Sequence, residues 1–283
     1  MRRACILPLL LASLAIAQAE PATTQSTQPS TAPNVEISPE ARQRLDRLKS
    51  AYAAPGPLRV EATIVGEFDV AGRQRTYQMQ VVGQTDGEGR FDHQAKDIGR
   101  VVQTPEKVII FDARRNAFAN LTQKPQRRNA ADFPEAVSEI LIDENPSLLL
   151  TLTDEPDTLL TANVKRVLVR DDALVLESTN DLRTIQFDDL GLIRSMSIDF
   201  TPVLKERGAL AIKKASVVLT YTRSDRTPPG ADAFAFEVPK GASEFRLASE
   251  LLRDRIEEIP GRLLPGGRAT TPAAPTTQPA TSD

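Results

Sequence analysis

Two periodicities in this 283-residue chain predict an α+β fold, a curled antiparallel sheet with one face covered by helices. Three observations carry the prediction. Segments with apolar residues at every second position follow one another across turns too short for crossovers, so neighbouring strands run antiparallel. A helical insert with start signals interrupts the strands in mid-chain. Roughly ten strands in one sheet accumulate twist until the sheet curls, and helices are the available cover for its inner face.

The chain opens with a leader. Arg2 and Arg3 precede the apolar run Ile6 to Ile16, and Ala17-Gln18-Ala19 offers the small residues that a signal peptidase needs. Cleavage is expected after Ala19, with export to the periplasm or beyond. The apolar run is too short to cross a bilayer of about 30 Å, and no later segment approaches the roughly 20 apolar residues a spanning helix needs, so no transmembrane anchor is predicted. Cys5, the single cysteine, leaves with the leader, taking disulfide and thiol chemistry with it. Residues 20–37, rich in Thr, Pro and Gln, and residues 264–283, rich in Pro, Thr and Ala, cannot bury a core and are expected to be disordered. Between them, residues 38–263 read as a single domain.

Ser38-Pro39-Glu40 starts a helix with a capping hydroxyl, a first-turn proline and an acid favoured by the helix dipole. Its apolar residues Ala41, Leu45, Leu48 and Tyr52 share one face. Val60 to Val70 alternates apolar or small residues with polar ones and reads as a half-buried strand. Ala71-Gly72-Arg73 turns it into a hairpin with Tyr77, Met79 and Val81. Asp86 to Gly89 turns again, and Arg90–Ala95, Ile98–Gln103, Lys107–Phe111 and Ala117–Leu121 continue the meander.

Asp132-Phe133-Pro134-Glu135 resembles a capping box at the start of a second helix, whose apolar face is Phe133, Val137, Ile140 and Leu141. Asn145-Pro146 starts a third, through Leu148, Leu149 and Leu150. Strands resume over Val164–Arg170, Ala173–Ser178, Leu182–Phe187, Leu192–Phe200 and Ala215–Arg223, with Arg194 on the same face as Met196, Ile198 and Phe200. Phe234 and Phe236 open a last strand, and Leu247, Leu251, Leu252, Ile256 and Ile259 form the seam of a closing helix.

The inventory of reactive groups supports no enzyme. Loss of Arg2 and Arg3 takes 35 basic residues against 38 acidic ones to 33 against 38, a net charge of −5 that disfavours nucleic acid as a partner. The single His93, in Phe91-Asp92-His93-Gln94, reads as a partly exposed strand residue beside a turn. It has no Gly-x-Ser-x-Gly turn with which to form a triad, and the chain lacks the His and Cys ligands of a zinc site. Asp171-Asp172 and Asp188-Asp189 read as turn residues, and Arg114-Arg115, Lys124–Arg128 and Lys213-Lys214 as solvated loops. No catalytic residue, metal or cofactor is predicted.

What remains is apolar surface, which a curled sheet can use as a packed core or as a cavity for a greasy ligand. The candidate lining is Ile64, Phe68, Tyr77, Met79, Met196, Ile198 and Phe200 from the sheet, with Phe133, Ile140 and Leu149 from the insert.

The layout resembles the outer-membrane lipoprotein carrier superfamily, LolA-like, and an exported branch of it in particular. The resemblance runs from about Ser38 to Phe245. It is carried by the amphipathic first helix, by Leu58–Val70 reading LRVEATIVGEFDV, by the helical insert, and by the phrase Phe234-Ala235-Phe236-Glu237-Val238-Pro239-Lys240-Gly241-Ala242. It implies an incomplete, or half, β-barrel whose concave apolar face is lidded by helices, and a periplasmic, non-enzymatic protein that shields the acyl chains of a lipid or lipoprotein. The alternative is a structural or interaction module of the cell envelope, with a filled core and a protein partner.

Overall fold

The computed structural model describes residues 35–251 except 54, 55, 130, 131, 207 and 231. The leader 1–19, the linker as far as residue 34, the 264–283 tail, and the positions Leu252, Ile256 and Ile259 of the closing helix lie outside the described residues.

The strands are β1 (Glu36–Ile37), β2 (Leu58–Val70), β3 (Arg73–Thr85), β4 (Phe91–Ala95), β5 (Gly99–Gln103), β6 (Lys107–Asp112), β7 (Ala117–Thr122), β8 (Val164–Arg170), β9 (Ala173–Ser178), β10 (Leu182–Phe187), β11 (Ile193–Asp199), β12 (Ile212–Asp225) and β13 (Ser243–Phe245). Among the described residues they make one open sheet in the order β1-β8-β9-β10-β11-β12-β2-β3-β4-β5-β6-β7-β13. Two antiparallel meanders, β2 to β7 and β8 to β12, are joined side by side where β12 pairs with β2, in a register that sets Leu219 against Ile64 and Ala215 against Phe68. Only the short margins β1–β8 and β7–β13 are parallel.

Turn chemistry follows the expected residues. Asp171 and Asp172 both hold positive φ, at 47° and 63°, as the two-residue hairpin β8–β9 requires. Asp188 Oδ1 accepts from the amides of Leu190 and Leu192 and shapes the β10–β11 turn.

The helices are α1 (Pro39–Ala53), α2 (Glu135–Glu144), α3 (Pro146–Thr151), α4 (Pro156–Leu160) and α5 (Thr201–Glu206). Ser38 caps α1 through Oγ, which accepts from the Ala41 amide at 3.2 Å, and the predicted stripe Ala41, Leu45, Leu48 and Tyr52 is buried. That stripe packs on β2, β3 and β8 to β12 in one apolar cluster. A second cluster joins α2 and α3 to Phe91, Val101, Val108, Ile110, Ala117 and Ala119 of β4 to β7. Helix α3 sits where the two meet: Leu150 belongs to the first cluster, Leu148 and Leu149 to the second.

Several expectations are corrected. Arg194 is exposed rather than inward, because the register shifts between Gln186 and Phe187 and the bulge turns Ile193 into the core instead. Asp132 does not cap α2, whose N-cap Pro134 has no side-chain hydrogen bond. The short helices α4 and α5 fall where connecting segments were expected, and β1 is formed by residues counted with the linker.

Phe234 and Phe236 do not open a strand. Residues 232–238 cross the sheet face opposite the helices as a strap, which begins with a turn at 232–234 closed by the Ala235 amide donating to the Asp232 carbonyl. Arg90 lies over the Phe234 ring at 5.1 Å and Arg100 over Phe236 at 4.8 Å, while Phe236 meets Phe111 at 5.7 Å. Gln84 Nε2 donates to the Ala233 carbonyl at 3.3 Å. Val102 and Ile109, which share that face with Phe111, are buried.

Candidate functional site

The helix-covered face gathers the residues of interest. Ile64, Phe68, Met79, Met196, Ile198 and Phe200 lie together in the first cluster, with Tyr77 half-buried at its margin. Ile140 and Leu149 lie in the second, with Phe133 half-buried beside them. The predicted lining is therefore divided between two clusters. Tyr77 reaches the first by laying its ring over Gly66, its cross-strand partner, where a Cβ would come within 1.8 Å of the ring, and it stacks on Phe68 at 6.2 Å.

Between the clusters runs a buried polar seam centred on α3. Asn145 caps the helix through Oδ1, which accepts from the Leu148 amide at 3.3 Å and from the Tyr221 hydroxyl at 3.2 Å. The Tyr221 hydroxyl in turn accepts from the Ser147 amide at 3.0 Å. The Tyr52 hydroxyl accepts from the Ile193 amide at 3.0 Å and bonds Ser147 Oγ at 2.7 Å. Burial pushes the Tyr52 phenol up to about 12 and raises that of Tyr221 as well, so both hydroxyls stay neutral, as donors and acceptors, across the physiological range. Two tyrosines from opposite ends of the chain thus fasten α3 to α1, β12 and the start of β11.

His93 extends the seam and corrects its reading as a partly exposed strand residue. It is 1% exposed, on the helix-facing side of β4, and its Nε2 meets Glu144 Oε2, at the end of α2, at 2.8 Å. Its Nδ1 and the Asn145 amide nitrogen Nδ2 are buried without a hydrogen-bond partner. They belong to one spot: His93 pairs with Gly83 across β3–β4, and a Cβ on Gly83 would fall 2.3 Å from Asn145 Nδ2. Only a glycine lets the α2–α3 junction come this close to the sheet.

Beside the junction, Asp143 is pushed up to about 7, chiefly by burial, with Glu144, Asp181 and Glu139 adding repulsion against the opposing pull of Arg183. Asp181 is itself held by Arg183 at 3.0 Å. The basic run 124–128 is not wholly solvated: Arg127 Nε bonds Asp154 at 2.8 Å, and the Arg128 amide donates to the Leu152 carbonyl, tying this loop to the end of the insert. Sequence reasoning missed Tyr221, Asn145, Ser147 and Glu144 as a group. The one available signal was the placing of polar residues in a Leu-rich insert.

Among the described residues no group of three or more His, Cys, Asp or Glu is placed to hold a metal ion, and no helix is long and apolar enough to cross a membrane. No family model matches the chain, and no curated protein matches it. Solved structures do. An uncharacterized conserved protein from Thermus thermophilus is similar over 74% of this chain and 99% of its own, at 13% identity and a TM-score of 0.32. A chain of the MucA/MucB complex of Pseudomonas aeruginosa is similar over 70% of this chain and 61% of its own, at 15% identity and a TM-score of 0.37. A LolA superfamily protein from Nitrosomonas europaea is similar over 69% of this chain and 97% of its own, at 11% identity and a TM-score of 0.30.

Proposed function

We infer that this is a non-enzymatic, exported envelope protein that shields the acyl chain of a lipid or lipoprotein between its sheet and the helices α1 to α4. In this reading the sheet curls as a half-barrel, and Ile64, Phe68, Tyr77, Met79, Phe133, Ile140, Leu149, Met196, Ile198 and Phe200 line the path of the chain. The observation that supports it best is the construction of the cover. One apolar sheet face is closed by short helices rather than by a second sheet, and α2 is lightly held at its start, with no side-chain cap.

Magnitudes indicate which part opens. Lifting α3 would expose Leu148, Leu149 and Leu150, about 1.5 to 3 kcal/mol each, and break its tyrosine anchors. Swinging α2 about the Glu144–Asn145 junction exposes as many apolar side chains, Val137, Ile140 and Leu141, but leaves the tyrosine anchors of α3 intact. Burying an acyl chain is worth about 0.8 kcal/mol per CH₂, so roughly ten carbons offset that exposure. Helix α2 is the lid and α3 its hinge post.

The test is native mass spectrometry of detergent-free protein, followed by solvent extraction. One acyl lipid per chain is the expected result. A clean apo mass that also ignores added fatty acid and lipopeptide overturns the reading. It would favour the second one, an interaction module with a filled core, which is supported by the near-complete burial of Ile64, Leu149 and Met196 against their own neighbours.

A further inference from the structure

We propose that the seam at the α2–α3 junction reads one neutral polar group within an otherwise apolar ligand, a secondary amide, through Asn145 Nδ2 as donor and His93 Nδ1 as acceptor. This rests on the acyl-shielding reading and names the chemistry of its ligand.

The two atoms are the start of the argument. Both are buried and neither has a hydrogen-bond partner, on side chains whose other polar atoms are engaged. Their orientation is fixed. Asn145 Oδ1 accepts from the Leu148 amide and the Tyr221 hydroxyl, so the NH₂ end must point away from both. His93 Nε2 lies 2.8 Å from Glu144 Oε2, and we assign the ring proton to that nitrogen, as donor to Glu144. That tautomer leaves Nδ1 with a lone pair to offer.

A donor and an acceptor near the same glycine select their complement. A carboxylate or an ester oxygen can accept from Asn145 but offers nothing to Nδ1. A secondary amide supplies both a carbonyl oxygen and an N–H, and it can carry an alkyl chain on either side. The surroundings suit that shape, because the seam lies between the two apolar clusters, with Leu148 and Val60 against Gly83 on the sheet side. A site built to pair both groups rejects the analogue that leaves one unpaired.

His93 is the only histidine of the chain, which makes the test specific. In tag-free protein, the ¹⁵N resonance of Nδ1 reports hydrogen bonding at one imidazole. The probes are N-butyl dodecanamide and butyl dodecanoate, alike in shape but differing in NH against O. The expected result is that both bind, the amide about tenfold more tightly, as one added hydrogen bond in a buried site implies, and that only the amide moves the Nδ1 resonance. Asn145→Asp keeps Oδ1 for Leu148 and Tyr221 but removes the donor, and His93→Gln keeps a donor for Glu144 but removes the ring acceptor. His93→Gln should bring the amide's affinity down to that of the ester while leaving the ester's unchanged, and Asn145→Asp, which removes the donor that both carbonyls use, should weaken both probes.

Equal affinities with an unmoved Nδ1 overturn the amide proposal and leave the shielding reading standing. An Nδ1 resonance already hydrogen-bonded in ligand-free protein and unchanged by the amide assigns the seam to a structural water and overturns it too. If neither probe binds, the shielding reading itself fails.

Discussion

The Tyr221 hydroxyl serves a main-chain donor and a side-chain acceptor at once, the Ser147 amide and Asn145 Oδ1. Tyr221→Phe strands the buried Ser147 N–H, and the expected loss of stability, read by urea denaturation, is about 1 to 3 kcal/mol. Asp143 gives a pH signature. Its carboxyl is raised to about 7 in the fold against an ordinary value of 3.8, so between those values the native state holds more protons than the unfolded one. Stability therefore falls as pH rises from about 4 through 7. Asp143→Asn removes this slope: it should raise the melting temperature more at pH 8 than at pH 4.5, and an equal shift at both would refute the account. At this scale the inward apolar residues were legible, because alternation is a local property. The burial of His93 was not, since its partner Glu144 lies 51 residues away on another element.

Single contacts decide how the elements seat. A methyl group on Gly83 would collide with Asn145, whose Oδ1 is pinned by the Leu148 amide and the Tyr221 hydroxyl, so Gly83→Ala should push α3 off the sheet. Faster amide exchange in α3 than in α1 would register it, and unchanged exchange would count against the close fit. The strap over β3 to β6 is the second case. Phe234→Ser with Phe236→Ser removes both cation–π stacks, and the expected outcome is increased binding of a hydrophobic dye as Val102, Ile109 and Phe111 lose their cover. The long elements α1, β2 and β3 were legible from periodicity and the Ser38 cap. The strap was not: its Phe-x-Phe spacing fits a strand, and only the arginines of β4's flank and β5, far upstream, make it lie crosswise. Helices α4 and α5, of five and six residues, are too short for periodicity to announce.

Across the whole molecule the sheet is strongest in the middle and weakest at its margins. β2 pairs along its length with both β3 and β12, whereas β1 and β13 contribute two and three residues. Native-state hydrogen exchange should find the slowest amides in β2 and β12 and the fastest in β1 and β13, and equal protection at the margins would contradict a two-meander sheet joined at its centre. The antiparallel meanders were readable from strand spacing. The strand order was not, because pairing between β2 and β12 joins residues from opposite ends of the chain, and no local pattern names a partner.

That central pairing has a consequence for how the protein is made. The last residue of β2 is Val70 and the last of β12 is Asp225, so the edge of β2 stays bare while 155 further residues are synthesised. At 5 to 20 residues per second this is about eight to thirty seconds during which a 13-residue strand, apolar on one face, offers its main chain to any passing neighbour. A nascent chain of this design depends on being held apart from its own copies until its C-terminal half arrives.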